Sequence, residues 1–428
     1  MAAQLISNNG DAVTIQITVD LSGTLLEAEG RIQEACNQAG MMASAEALKR
    51  FDTDGAPIVL DAIKWTKRCA APKKYQTPYG EVEIVRNVYQ TSKGGRIYCP
   101  LEAAARIIRH ATPRFAQQLS HKYAQTHVHA VCADLRENHG RQIAASYVQN
   151  VADWVGGIAE AQEAHWEYAP PDLDRAVATV AISLDGAMLA MKEAGWREAM
   201  VGSVSLDAPD GERLHTLSVG EAPESGKATF KHRMAGEIAR VKARYPEALY
   251  LGIADGAHDN WSFLEQHTTR QLLDFFHAAE YLPHLAMAAY PGKTDQAKRE
   301  QWLQEQQHRL KHAPGAVDAL IAEAERFSRK TSLGKTVQDN LQTALTYFTH
   351  QRGRMDYAQQ VAENLPIGSG VIEAACKTLV KQRLCASGMR WKNTGAKIVL
   401  SLRALAHTTG RWAQFWQKID QFGAECCG

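Results

Sequence analysis

Apolar and polar residues alternate along AVTIQITV, residues 12–19, with the period of two that a half-buried strand requires. The following stretch, SGTLLEAEGRIQEACNQAGMMASAEALKRF, reads as helices. Alternation returns at about 76–100, where β-forming residues are punctuated by Pro-Tyr-Gly and Gly-Gly, and a β-hairpin or small sheet is predicted. Residues 101–166 read as wholly helical. Within them Val128 to Leu135 predicts one helix, Gly140 a turn, and Tyr147, Val148, Val151 and Trp154 the apolar face of a second helix. That spacing is the one a helix-turn-helix uses for its core, and an ordinary pair of antiparallel helices would share it. Arg141, Gln142, Ser146, Gln149 and Asn150 are left free to face a groove.

The texture changes after the Pro170-Pro171 linker. AVATVAISLDGAML is apolar and β-branched, and AMVGSVSLDAPDGERLHTLSVG reads as two strands joined by a Pro-Asp-Gly turn. TFKHRMAGEIARVKARYP predicts a helix, and ALYLGIADGAHDNWSFLEQH a buried strand running into another helix. Strands followed by alternating helix and strand define a multi-domain α/β protein with a mixed sheet. Residues 285–362 carry only helical, polar texture and predict an all-helical insertion, after which the helix following Ser369 returns to the sheet. The expected organisation is 1–100 (helices and a β-hairpin), 101–170 (helix-turn-helix-like), 171–284 (first part of the α/β core), 285–362 (insertion) and 363–428 (final helix and basic C-terminal region).

Two acids, Asp185 in AISLDG and Asp255 in GIADG, are expected to end buried strands, each followed by a glycine that lets the chain turn away. Open α/β sheets place ligands at such ends. Buried neighbouring carboxylates are costly unless a cation lies between them, and hard oxygen donors in an incomplete cage suit Mg²⁺, with Mn²⁺ as a substitute. LPIGSGVIEAACK, residues 365–377, adds Glu373 as a third candidate. A capping box requires Ser/Thr-x-x-Glu, and Ser369 stands one residue too far away. A helical Glu373–Lys377 pair remains open as a structural alternative. Asp274 and His277 stand three apart in DFFH, a spacing that also fits a helix-capping acid with a half-buried histidine. Asp259 is either a helix cap or an extra ligand.

The composition is that of a globular chain: 428 residues, 45% hydrophobic, 22% charged. No apolar run reaches membrane-spanning length, and the N-terminus has no secretory pattern. The eight cysteines form no CxxC pair, which fits reduced thiols in the cytoplasm. A net charge of +1 announces no partner, but its distribution does. Lys377, Lys381, Arg383, Arg390, Lys392, Lys397, Arg403 and Arg411 succeed one another without an intervening acid, and KWTKRCAAPKKY, residues 64–75, is a second basic stretch. Both adjoin aromatic residues (Trp65, Tyr75, Trp391, Trp412), a combination that favours a polyanion.

SLDGAML, IADGAHDNW, DFFHAAEYL, LPIGSGVIEAACKTLVKQRL and SGMRW, in this order, resemble the DDE insertion-sequence transposases of the Kra type, relatives of the Mutator-like group. TPYGEVEIVRNVY and PLE resemble that family's N-terminal region, and the similarity runs from about residue 75 to 410. The resemblance implies an RNase H-like catalytic domain interrupted by a helical insertion and preceded by a mainly helical DNA-binding region. It assigns the DDE triad to Asp185, Asp255 and Glu373, and matches Asp274 and His277 to the C/D-x-x-H signature. The chemistry expected is Mg²⁺-dependent cleavage at the ends of a DNA element, followed by attack of the freed 3′-OH on target DNA.

On this reading His277 orients the scissile phosphate or a ligand, with Asp274 fixing its tautomer. Lys377, Lys381, Arg383, Arg390 and Lys392 neutralise phosphates. Residues 122–157, including Arg141, Gln142, Ser146 and Gln149, recognise the terminal repeats together with 64–75. The partners implied are double-stranded DNA and at least one further copy of the chain, in the bacterial cytoplasm at the nucleoid. Alternatives are an RNase H-fold nuclease without strand transfer and a DNA-binding protein that no longer transposes. A glycoside hydrolase with paired carboxylates is disfavoured by the basic C-terminal helix and the helix-turn-helix pattern.

Overall fold

The computed structural model describes residues 3–162, 165–330 and 333–423. The chain forms two compact units, one of Met1–Tyr168, Lys397–Ala406 and Arg411–Gly428, the other of Ala169–Ala396 and His407–Gly410.

In the first unit, β1 (Ala3–Asn8) pairs antiparallel with β2 (Val13–Ile17). One continuous helix, α1 (Leu25–Lys49), follows where several helices were open. Its start is fixed by a capping box: Thr24 Oγ1 accepts from Glu27 N at 3.3 Å, and Glu27 Oε2 accepts from Thr24 N at 2.9 Å. An antiparallel sheet then runs β3 (Ile58–Leu60), β4 (Ile63–Gln76), β5 (Glu81–Thr91) and β6 (Ile97–Tyr98). The basic stretch 64–75 is thus the long strand β4, which extends the sheet ahead of its predicted start at 76. Its lysines and Arg68 lie largely outward, and its only fully buried side chain, Tyr75, comes at the end, so the alternation is hidden in the sequence.

Four helices complete this part: α2 (Pro100–Ala104), α3 (Pro113–Gln125), α4 (Val128–His139) and α5 (Ala145–Gln162). Gly140 ends α4 at φ 63°, a left-handed conformation that glycine adopts without a Cβ penalty. Val131, Leu135, Val148 and Val151 are buried, a pattern that a helix-turn-helix and an ordinary pair of helices share.

Two side chains expected at the groove-facing surface turn inward. Arg141 is 7% exposed, donates to Gln76 Oε1 at 2.7 Å and lies over the Phe115 ring. The Gln149 amide accepts from Tyr123 Oη at 2.9 Å and donates to Asp153 Oδ1 at 2.6 Å. Both are polar groups satisfying buried partners, a role that a polar letter in the sequence does not distinguish from surface exposure. Gln142, Ser146 and Asn150 are exposed.

The second unit is built on the sheet of β7 (Thr179–Met191), β8 (Gly195–Asp207), β9 (Arg213–Glu221), β10 (Leu249–Ala254) and β11 (Arg270–Leu273), in the order β9-β8-β7-β10-β11. β7, β8 and β9 pair antiparallel, whereas β7–β10 and β10–β11 pair parallel. This mixed sheet flanked by helices is generically RNase H-like in topology. The crossovers are α6 (Ala228–Arg244) and α7 (His258–His267).

After the short α8 (Phe275–Ala279) come α9 (Leu282–Ala289), α10 (Gln296–His312), α11 (Ala316–Ser328), α12 (Lys335–Gln351) and α13 (Tyr357–Ala362). They add no strand, and Leu310, Leu320, Leu341 and Phe348 share one apolar core with Leu251, Ile253 and Leu273 of the sheet. α14 (Gly370–Ala375), a π-helical stretch (Cys376–Lys381) and α15 (Gln382–Leu384) return to β7 and β8. α16 (Asn393–His407) and α17 (Arg411–Phe422) close the chain.

Among the described residues no helix is long and apolar enough to cross a membrane, and Cys36, Cys69, Cys99, Cys132, Cys376 and Cys385 are free thiols. Cys426 and Cys427 lie outside the described residues. Leu251, on the strand between β7 and β11, has no exposed surface. Leu251→Ala is expected to destabilise the second unit by about 2–5 kcal/mol, the cost of a cavity in a packed core, measured as a shift in its denaturant midpoint.

Candidate active site

Parallel pairing of β10 with β7 sets Ile253 opposite Ser183, so Asp255 and Asp185 each follow two residues beyond the same rung. Strands in a ladder lie about 4.8 Å apart, and residues two apart point to the same face. Asp255 comes just after its strand, at a turn where Gly256 has φ 109°. Asp185 differs from its expected strand-end position: it is in the middle of β7, which continues to Met191 as a hairpin with β8. Only the β10 side of the ladder stops. Gly186 therefore does not turn the chain. It remains in the strand, where a Cβ would collide with the Glu198 carboxylate. Both aspartates are half-buried.

Glu373 is exposed on α14. Ser369 precedes the helix without a side-chain cap, and its hydroxyl reaches Glu373 Oε1 at 3.4 Å. Among the described residues Glu373 forms no ion pair with Lys377, so the helical-pair alternative is not realised. The Gly-Ser-Gly turn is held from below by Asp274, which has no exposed surface. Asp274 Oδ1 accepts from Phe276 N at 2.6 Å and His277 N at 3.0 Å, and Oδ2 accepts from Ser369 N. Phe275 N donates to Ile367 O at 2.9 Å beside it. Gly368 lacks a side chain where the Phe276 ring passes 2.7 Å from a Cβ position.

Asp274 is thus a clasp between the end of β11 and the turn that launches Glu373. It does not fix the tautomer of His277, because the bond it receives comes from that residue's backbone. The ring Nδ1 lies 3.8 Å from Glu280 Oε2 instead.

Asp185, Glu373, His277, Glu280, Lys377 and Lys381 line one open cavity of about 1140 Å³. Cys376 Sγ donates to Asp185 Oδ2 at 3.5 Å, and burial, reinforced by the Asp185 charge, pushes its thiol pKa up, so it stays protonated. This bond falls where the helix widens into its π-helical stretch, an irregularity common at functional sites. The sequence reading passed over Cys376, although it stands on the face of Glu373 one turn on.

Tyr347 and Gln351 were also missed, because they come from the insertion. Tyr347 Oη donates to Asp255 O at 3.1 Å, and Gln351 Nε2 to Gly256 O at 3.3 Å. Tyr347 also stacks on Tyr281 at 3.9 Å between ring centroids. No local pattern marks such long-range anchors.

The basic run divides. Lys377, Lys381, Arg390 and Lys392 are exposed, and the first two belong to the cavity wall. Lys392 lines a separate pocket with Lys192, Arg197 and Lys227. Arg383, expected to meet phosphate, is 3% exposed and lies over Trp391. Arg403 and Arg411 are buried in the first unit, and Lys397 pairs with Glu160 at 3.4 Å. Asp259 is exposed in the first turn of α7.

Among the described residues no three His, Cys, Asp or Glu side chains are gathered into a ready metal cage. The donors nevertheless suit a hard divalent cation in kind: Asp185, Asp255 and Glu373 offer carboxylate oxygens, and none is in an ion pair among the described residues. No family model matches the chain, and no curated protein matches it.

The clasp has a direct test. Asp274→Ala leaves three backbone N–H groups without their acceptor, and a cost of about 1–3 kcal/mol is expected on unfolding. Hydrogen exchange at residues 367–373 should accelerate more than exchange in β7.

Proposed function

We propose that this chain is a DNA transposase of the DDE insertion-sequence type, with an RNase H-like catalytic domain interrupted by the helical insertion. The observation that carries the proposal is a single cavity that presents Asp185 and Glu373 beside Lys377 and Lys381, with Asp255 in the turn just past the end of the strand that adjoins β7. Carboxylates at a sheet face with cations along the rim suit a phosphodiester: the acids hold a cation and the lysines meet flanking phosphates.

Asp185, Asp255 and Glu373 would hold Mg²⁺, which when bound supplies nucleophile activation and charge neutralisation at the scissile phosphate. Cys376 orients the Asp185 carboxylate by donating to Oδ2. Tyr347 and Gln351 fix the turn that carries Asp255, and Asp274 fixes the turn ahead of Glu373. His277, on the cavity wall, would donate to a phosphate oxygen, and the exposed Arg390 and Lys392 would meet phosphates away from the cavity. The exposed Gln142 and Ser146, with the outward lysines of β4, form the part of the first unit suited to binding duplex DNA. Joining two DNA ends calls for at least two copies of the chain.

The test uses purified full-length protein and a plasmid carrying the DNA that flanks its coding sequence, with Mg²⁺ or Mn²⁺. Asp185→Asn, Asp255→Asn and Glu373→Gln are each expected to lower cleavage at least about 100-fold while leaving the circular dichroism unchanged. Joined products would distinguish a transposase from a nuclease that only cuts. Wild-type cleavage by Glu373→Gln would end the DDE assignment. Separately, Lys377→Gln with Lys381→Gln should weaken DNA binding and reduce the slope of log affinity against log salt by roughly 0.9 per lost phosphate contact, read by fluorescence anisotropy.

A further inference from the structure

The first unit contains a cavity of about 670 Å³, within the roughly 300–1,000 Å³ range of small-ligand sites. Its wall combines Trp65, Tyr98 and Trp154 with Arg96, Arg106 and Arg109. The rings of Trp65 on β4 and Tyr98 on β6 lie 5.7 Å apart, inclined at 54°. The Arg109 guanidinium stands 3.9 Å from the centre of the Trp154 ring. Arg106 is committed to structure: Nε donates to Asp420 O at 3.0 Å and Nη2 to Gln421 O at 3.4 Å, tying the end of α17 to the wall.

Arg96 and Arg109 are exposed and form no ion pair among the described residues. Of the acids on the wall, Glu102 is engaged by Tyr75 Oη at 2.8 Å and Arg86 Nε at 3.1 Å. Asp61, which is exposed, also lines the cavity.

The backbone supplies an independent observation. Arg109 and His110 have φ of 50° and 66°, and Ile108 and Ala111 on either side exchange both backbone hydrogen bonds, at 3.0 and 2.8 Å. This is a two-residue hairpin turn of the kind that favours Asn-Gly, because both central residues are left-handed. An Arg-His pair there is strained, and the buried Ile108 and Ala111 hold it in place. The residue kept in this strained position is the one whose guanidinium covers Trp154. Asp61 and Ala62, at φ 48° and 63°, form a second left-handed turn at the same cavity.

We infer that this cavity binds one nucleotide of an unpaired DNA strand. The base stacks on the aromatic surface, and Arg96 and Arg109 take the adjoining phosphate through their planar N–H forks. A duplex keeps its base faces stacked on one another, so the site selects an unpaired strand. The inference extends the DNA-processing reading to the first unit, but the site itself requires no chemistry at Asp185.

The experiment uses the full chain in EDTA, so that binding is read without cleavage. The probes are a fluorescein-labelled single strand of about 12 nucleotides, a labelled duplex and free dAMP. Arg109→Gln and Trp65→Leu are each expected to weaken single-strand binding about 10-fold, the scale of one lost stacking or phosphate contact, with duplex binding unchanged. The exposed Arg96→Gln should act in the same direction without disturbing the fold, and thermal melting checks all three. Quenching of tryptophan emission by dAMP, lost in Arg109→Gln, would point to a free nucleotide as the source of the same chemistry. Wild-type affinity for the single strand in all three variants overturns the site, even if the protein cuts DNA. Absence of cleavage, with single-strand binding that depends on Arg109, overturns the transposase reading and leaves the site standing.

Discussion

Parallel pairing of β7 with β10 is the constraint on which the candidate site depends. It places two acidic positions at the same height, one within β7 and one just past the end of β10, where their charges repel unless water, hydrogen bonds or a cation intervene. The rest of the local structure follows from keeping those carboxylates in place. β7 continues into a hairpin with β8, so Asp185 gains backbone support on one side. Asp255 has no such continuation, and α12 supplies the equivalent support through Tyr347 and Gln351. The helical insertion is therefore part of the site's scaffold, and its shared apolar core with the sheet makes that support stiff.

The third acid is held by different means. Glu373 is in the first turn of a helix that runs on through the π-helical stretch to Leu384. Its direction comes from the turn before it, and that turn hangs from Asp274. A fully buried carboxylate is expensive unless its oxygens are satisfied, and here three backbone N–H groups satisfy them. The DFFH stretch is thus best understood as two separate roles: Asp274 organises backbone inside the fold, while the His277 ring reaches the cavity. Spacing alone treats the pair as one unit, because it registers which residues share a helical face but not whether a side chain or a backbone group makes the bond.

Much of the architecture was legible in the sequence because periodicity follows burial. The strand at 13–17, the long helical region, the hairpin near 81–98 and the all-helical stretch after 282 each announce themselves by spacing. Polar side chains carry less information. Arg141, Gln149 and Arg383 look like surface residues until packing reveals the buried partners they satisfy or the rings they cover. The strand β4 was hidden for the opposite reason, since its charged outward face breaks the expected alternation. Tyr347 was not legible at all, because nothing local links a tyrosine at position 347 to a carbonyl at position 255.

The division of the basic run bears on how charge should be read in this molecule. A row of like charges along a chain is a field only if its members reach solvent together. Here Arg383, Arg403 and Arg411 are consumed in packing, and Lys397 by an ion pair. Lys377 and Lys381 remain at the carboxylate cavity, with Arg390 and Lys392 exposed beyond them in the chain. Among the described residues the two lysines form no ion pair with Asp185 or Glu373, and because an exposed pair of that kind contributes only about 0–1 kcal/mol, both acids and lysines stay open to other partners. Under the proposed function the acids would hold a cation and the lysines would meet phosphate oxygens, the two halves of a metal-bound phosphodiester.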